Sequence, residues 1–149
     1  MILATAAMFG HAVTIIRLPA QLMESVIALG ASPMMFILIV MAVILILGMF
    51  LETISIILIT TPIIFPVMLE LGINPIWYGI LLMINLELAL ITPPVGMNLF
   101  VIKGIANAPM GEIIRGVLPY FGLMMAGLAI VLIFPQTALW LPAIAGFGN

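Results

Sequence analysis

Apolar residues run almost without interruption along this chain, and what punctuates them is proline, glycine and a few polar side chains. The predominantly apolar run from Ile76 to Ala106 would be roughly 46 Å long as one helix, against a hydrocarbon core of roughly 30 Å. It must tilt strongly or break, and Ile91-Thr92-Pro93-Pro94-Val95-Gly96-Met97-Asn98 predicts a break in its middle. Neither proline donates a backbone hydrogen bond, so the carbonyls of Ala89 and Leu90 lose their usual helical partners, and Pro93 pushes Thr92 out of the helical region. Gly96 permits a backbone conformation closed to other residues, and helix-like character resumes with Asn98-Leu99-Phe100-Val101. Irregular backbone at membrane depth survives only where protein buries it or a cavity wets it. The block is therefore either an interior site or a proline kink closed by neighbouring helices, and residue types alone do not separate the two.

A second long run, Met34 to Leu71, carries Glu52 in its middle and Glu70 at its end. Met34 to Ile64 would again be roughly 46 Å as one helix, so it should fold back or break, with Gly48-Met49-Phe50-Leu51-Glu52-Thr53 as the apex. The first limb, Met34 to Leu47, would be roughly 21 Å long, too short to span a bilayer. The second returns through Ile54 to Leu71 and carries Ser55, Thr60, Thr61, Pro62 and Pro66. This predicts a re-entrant hairpin in which Glu52 needs a partner, a proton or water, because a charge at mid-depth costs several kcal/mol. The alternative is a straight helix from Pro33 with Glu52 at the far water boundary.

The rest of the pattern supplies ends and surfaces. Met1 to Ile16 reads as the last turns of a membrane helix, with His11 a packed or interfacial histidine and Arg17 at the water boundary. Between Leu18 and Gly30, Leu22, Val26 and Leu29 fall at helical spacing among Gln21, Glu24 and Ser25, which predicts a short amphipathic arm helix along the membrane surface. Ser32 then suits an N-cap, with Pro33 at the first helical position. Gly72-Ile73-Asn74-Pro75 is a turn signal, and Trp77 and Tyr78 follow where the next helix should cross the headgroup layer. Asn85 reads as a hydrogen-bonder between packed helices and Glu87 as half of a structural pair supporting the broken segment. Lys103 and Arg115 flank the polar connection Asn107-Ala108-Pro109-Met110-Gly111, which places that connection on the cytoplasmic side and the hairpin opening on the other. A last segment, Pro119 to Phe134, is uncharged and contains Gly122 and Gly127; Pro135 ends it, Trp140 reads as an interface residue, and Gly146-Phe147-Gly148-Asn149 as a frayed end.

Composition settles the solvent: 66% of residues are hydrophobic and 5% charged, whereas soluble domains carry about 25% charged residues. With a mean hydropathy of +1.51 the chain is an integral membrane protein of all-α class. A net charge of -2 gives no nucleic-acid or polyanion partner, and the absence of cysteine excludes disulfides and thiol chemistry. One histidine and no aspartate cannot assemble a Ser-His-Asp triad, a histidine-rich metal centre or an HExxH site, so no catalytic residue is assigned. Met1 to Met8 has no basic region before its apolar residues and reads like the middle of a helix, so residue 1 is expected to lie inside a longer natural polypeptide or behind a split or mispredicted gene. What remains is one hairpin and one broken helix, each placing loose backbone and a few oxygen side chains at mid-depth. That is the layout of secondary-transporter sites, where unwound carbonyls hold a small hard cation and half-helix N-termini face an anionic group.

Six segments carry a family resemblance: Gly48-Met49-Phe50-Leu51-Glu52-Thr53, Pro62-Ile63-Ile64-Phe65-Pro66, Leu71 to Pro75, Asn85-Leu86-Glu87, Thr92-Pro93-Pro94-Val95-Gly96-Met97-Asn98-Leu99-Phe100 and Pro119-Tyr120-Phe121. In order and spacing they resemble the C-terminal part of the large permease subunit of TRAP (tripartite ATP-independent periplasmic) transporters. The resemblance implies one repeat of an inverted-repeat, elevator-type, sodium-driven importer in the bacterial inner membrane. Residues 1–32 would be a membrane-helix end and arm helix. Residues 33–149 would be a transport-domain repeat, with hairpin 34–71, broken helix 76–106 and final membrane helix 111–134. It also implies a small membrane subunit as scaffold, a periplasmic binding protein that delivers substrate, and an organic anion such as a dicarboxylate or a sialic acid as cargo.

Carried onto matching positions, the resemblance assigns Gly48, Glu52, Thr92, Val95 and Gly96 to a sodium site, and Thr53, Pro93 and Asn98 to the substrate beside it. The sequence departs from the family pattern where Glu52 replaces the more frequent Asp and Ala89 the more frequent Gly, which loosens the expectation at the apex and at the start of the unwinding. The first repeat, with its own hairpin and proline break, is absent, so this chain alone should not transport. The alternative is a short, non-transporting membrane scaffold or packing protein, a relic of a permease.

Overall fold

A computed structural model describes residues 2–28, 30, 32–93 and 95–146, and every regular element among them is an α-helix. In chain order these are α1 (Ile2–Ile15), α2 (Leu18–Ala28), α3 (Pro33–Gly48), α4 (Thr53–Glu70), α5 (Pro75–Leu90), α6 (Met97–Ala106), α7 (Met110–Ile133) and α8 (Gln136–Ile144). By length and apolar character α4 and α7 can each cross a membrane, while α3, α5 and α6 are apolar but shorter. The chain divides into two compact units: residues 1–40 with 52–75, and residues 41–51 with 76–149.

In the first unit α1 and α2 both pack on α4. Gly10 makes the α1 approach close, since a Cβ there would stand 3.4 Å from Cβ of Pro62. The turn between α1 and α2 places Arg17 in the left-handed region at φ 57°, a conformation that costs roughly 1–2 kcal/mol for a residue with a Cβ. The half-buried side chains of α2 are Leu18, Pro19 and Met23, whereas Leu22 is exposed. The Val26 side chain and Leu29, the other members of the expected stripe, lie outside the described residues, as does Ala31. His11 is exposed.

Ser32 caps α3: its Oγ accepts from the N–H of Met35 at 3.2 Å, and Pro33 takes the first helical position. α4 continues through Pro62 and Pro66 and ends in a Schellman turn. Gly72, at φ 69°, donates to the carbonyl of Leu69 at 3.1 Å, and Ile73 donates to that of Met68 at 3.0 Å while its side chain is buried. The Gly72-to-Pro75 punctuation has this geometry as its cause.

In the second unit α6 packs on α7 and α7 on α8. α5 is the most buried helix, with Leu81, Asn85, Leu86, Leu88 and Ala89 almost inaccessible. Asn85 Nδ2 donates to the carbonyl of Met41 in α3 at 2.9 Å, the inter-helix bond expected of it. Trp77 and Tyr78 differ from expectation: both are buried in the fold rather than presented to headgroups. The reason for Trp77 lies fifty-four residues on, where its Nε1 donates to the carbonyl of Val131 at 2.8 Å. That carbonyl has no helical donor, because Pro135 occupies the position that would supply one. The indole closes an orphaned acceptor in α7.

The connection from α6 to α7 turns on Asn107, left-handed at φ 52°, whose N–H caps the carbonyl of Lys103 at 3.1 Å. The tail beyond Pro135, where no further element was expected, is helical. Pro135 sits at the N-cap of α8, and its carbonyl accepts from Ala138 and Leu139, a use of proline at a helix start that the sequence reading took as an end. Trp140 on α8 is exposed. The expected fraying of 147–149 falls outside the described residues.

Candidate functional site

The break between α5 and α6 is built from three backbone events. The last turn of α5 tightens, with Ile91 donating to Leu88 at 3.2 Å and Thr92 to Ala89 at 3.1 Å. This recovers the carbonyl of Ala89, which the proline argument leaves without a partner; the tightened turn reaches it from one residue nearer. The carbonyl of Leu90 is not recovered. Its helical donors would be Pro93 and Pro94, and no donor meets it among the described residues. Pro94 itself lies outside the described residues. Gly96 then turns the chain in the left-handed region (φ 49°, ψ 88°) and starts α6 without a side-chain cap.

Gly96 is also where backbone oxygens converge. A Cβ at this position would stand 2.9 Å from the carbonyl oxygen of Thr92 and 3.1 Å from that of Leu90, with Cδ1 of Leu99 at 3.0 Å. Two carbonyl oxygens thus close on the space beside one buried, bare Cα. Thr92 is itself 8% exposed, and its hydroxyl donates to the carbonyl of Leu88 at 2.6 Å. With its proton directed back along α5, the hydroxyl oxygen keeps its lone pairs for another partner. The set is hard oxygen, suited to an alkali or alkaline-earth cation rather than a transition metal. Among the described residues no group of three or more His, Cys, Asp or Glu comes together. α6 starts at Met97 without a side-chain cap, and the positive end of its dipole favours an anion.

The other candidate residues are placed as follows. Val95 is half-buried within the break, and Pro93 and Asn98 are exposed at its two ends. Gly48 closes α3, is buried, and belongs to the same compact unit as the break. The residues after it wind tightly, Phe50 and Leu51 both donating to the carbonyl of Leu47 at 3.0 and 2.8 Å. Glu52 and Thr53 fall in the first unit, at the start of α4. Glu52 takes the N-cap position with extended backbone (φ -73°, ψ 144°), is exposed, and accepts from Ser55 Oγ at 3.2 Å. Glu87 is exposed and makes no ion pair among the described residues. The Leu90 carbonyl is one of the two that the proline argument leaves without a helical partner, although Leu90 is not among the residues the family resemblance assigns to the ion.

The outer side of the break faces α7 across a small apolar pocket of about 90 Å³ lined by Ile91, Thr92, Pro93, Ile114, Val117, Leu118 and Phe121. The α7 members recur at helical spacing on either side of Pro119.

Comparison with known proteins gives this geometry a family. Residues 1–137 match the family model described as the DctM component of the tripartite ATP-independent periplasmic transporter. Among relatives, the C4-dicarboxylate TRAP transporter large permease protein DctM of Pseudomonas aeruginosa is 45% identical over 95% of this chain and 33% of its own length. The protein of the same description from Vibrio cholerae is 38% identical over 96% of this chain and 32% of its own. The sialic acid TRAP transporter large permease protein SiaM of Vibrio cholerae is 33% identical over 95% and 33%. The chain therefore spans about a third of the length of the curated relatives it matches, and those relatives are transporter permeases rather than enzymes. By a family match over nearly its whole length, with its helix break at Thr92–Gly96, this chain belongs to the DctM family of TRAP transporter large permeases.

Proposed function

We propose that this chain is the second-repeat portion of a sodium-coupled, elevator-type permease that imports an organic anion across the bacterial inner membrane. The observation that carries the proposal is the pair of backbone oxygens, from Leu90 and Thr92, closing on Gly96 beside the Thr92 hydroxyl. Sodium needs several hard oxygens, and the break supplies some of them from backbone. In this reading Thr92, Val95 and Gly96 hold the ion with Gly48 of the same unit, and Asn98 and Pro93 meet the anion at the start of α6. A bound cation lowers the cost of bringing a carboxylate to the uncapped start of α6, which is the physical basis for coupling the two. The substrate class follows from relatives whose names specify C4-dicarboxylate and sialic acid. The same membership supports a small membrane subunit as scaffold and a periplasmic binding protein as the source of substrate, with the lipid bilayer as solvent for α4 and α7.

The test is uptake of a radiolabelled C4-dicarboxylate by the complete assembly containing this segment, measured with and without sodium. Uptake should depend on sodium, and Thr92→Ala should raise the sodium concentration needed for half-maximal rate. Uptake indifferent to sodium would overturn the coupling, and a Thr92→Ala variant with unchanged sodium dependence would remove the break from the ion site.

A further inference from the structure

Helix α5 has a closed face and an open one. On the closed face Tyr78, Leu82, Asn85 and Ala89 recur at spacings of three and four and are all buried, and Asn85 bonds to the carbonyl of Met41 at 2.9 Å. On the open face Ile80 and Ile84 are half-buried, Met83 is 57% exposed, and Glu87, one turn beyond Met83, is exposed. Glu87 is the one charged residue of this helix. α4, long and apolar enough to cross a membrane, ends at Glu70, which sets the Gly72-to-Pro75 turn at a membrane boundary. From Pro75 to Glu87 the helix rises roughly 18 Å, past the middle of a hydrocarbon core of roughly 30 Å.

A carboxylate at that depth is costly in lipid and is met in membrane proteins facing protein or a wet cavity, paired with another group. Isoleucine and methionine around it give water few partners. The chain's own cationic side chains are Arg17, Lys103 and Arg115, and none pairs with Glu87 among the described residues. Nor does Glu87 share the side of Thr92: five positions separate them, roughly 140° around a helix, and Thr92 is buried. The chain spans about a third of the length of its relatives, so a permease of their size has further polypeptide to lay on this face. We infer that Glu87 pairs with a Lys or Arg side chain carried by the part of the permease outside this chain, and that the open face of α5 is where that part docks. The inference rests on membership of the permease family and on nothing about sodium.

The test is made on the complete assembly containing this segment. Glu87→Gln and Glu87→Leu should each lower the midpoint of thermal unfolding by roughly 5–10 °C, because either leaves the partner's cation buried without a counter-charge. A rise with Glu87→Leu would mean that the carboxylate faces lipid, and no change with Glu87→Gln that it faces water; either result overturns the pair. A nitroxide on Met83→Cys reads the cover with Glu87 intact. Protein cover shields it from both oxygen and a water-soluble nickel chelate, whereas access by oxygen reports lipid, access by nickel reports water, and either overturns the docking face. The shielding should persist in permease prepared without the small membrane subunit; its loss would assign the face to that subunit and overturn the proposal. The sodium concentration for half-maximal uptake should not move with Glu87→Gln. A shift would place Glu87 in the ion site and sink the pair, whereas sodium-indifferent uptake by the unaltered assembly overturns the proposed coupling alone.

Discussion

Placing a single methyl group on Gly96 tests whether the break is a rigid cradle of oxygens. Two effects act there. The backbone at φ 49° is one that a residue with a Cβ adopts at a cost of roughly 1–2 kcal/mol. The added carbon would also sit 2.9 and 3.1 Å from two backbone oxygens that cannot swing away as a side chain does, and overpacking of this kind costs about 1–3 kcal/mol. Gly96→Ala should therefore destabilise by about 2–5 kcal/mol. Two other glycines separate the contributions. Gly72 is left-handed at φ 69° with nothing within 4 Å of a Cβ, so Gly72→Ala should cost only the conformational part, about 1–2 kcal/mol. Gly104 lies inside α6 with open space around it, so Gly104→Ala should stabilise by about 0.5–1 kcal/mol. Unfolding in mixed micelles, followed by the helical signal, reads all three. If Gly96→Ala loses no more than Gly72→Ala, the Leu90 and Thr92 carbonyls are not fixed where the cradle needs them, and the argument for an ion site at the break fails with them.

Three further substitutions check the supports around the site. Trp77→Phe keeps the bulk but leaves the Val131 carbonyl without a donor, and should cost about 1–3 kcal/mol, with faster hydrogen exchange confined to the last turns of α7. Asn85→Leu removes the bond to Met41, whose carbonyl keeps its own helical donor in α3, so the loss should be near 0.6 kcal/mol and below about 1.7; a larger loss by the same unfolding measurement would mean that Asn85 does more than join two helices. Arg17→Gly should raise the midpoint of thermal unfolding by relieving a left-handed residue, worth about 1 kcal/mol, whereas Asn107→Gly should change it little because asparagine tolerates that region. Equal gains at the two positions would refute the conformational explanation.

The helix positions were legible because they follow from local chemistry. Ser32-Pro33 starts a helix, Gly72 ends one, and the tandem Pro93-Pro94 with Gly96 breaks one, each through a donor, a cap or a backbone angle contained within a few residues. Single prolines at 62, 66, 119 and 142 stay inside continuous helices, since one missing bond is tolerated where the turns on either side remain intact. What was not legible was partnership at long range. Trp77 reads as a headgroup anchor until its partner, Val131, is known, and nothing near residue 77 names that partner. The same holds for Pro135, which ends one helix and starts another. At the site, the prolines identify the carbonyls of Ala89 and Leu90 as orphans, but that a tightened last turn recovers Ala89 and leaves Leu90 is visible only in the structure.

Pro135 orphans the carbonyl of Val131, and the fold answers with an indole N–H at 2.8 Å, which is how a structural kink is closed. Pro93 and Pro94 orphan the carbonyl of Leu90 beside buried Leu88 and Ala89, yet no donor meets it among the described residues. Thr92, adjacent and buried, spends its only hydroxyl proton on Leu88 rather than on this carbonyl, so it adds an acceptor to the same neighbourhood. A fold that closes one proline-orphaned oxygen with an indole brings another, that of Leu90, beside the carbonyl of Thr92 at Gly96, and two such acceptors with the Thr92 hydroxyl suit a cation better than another backbone donor.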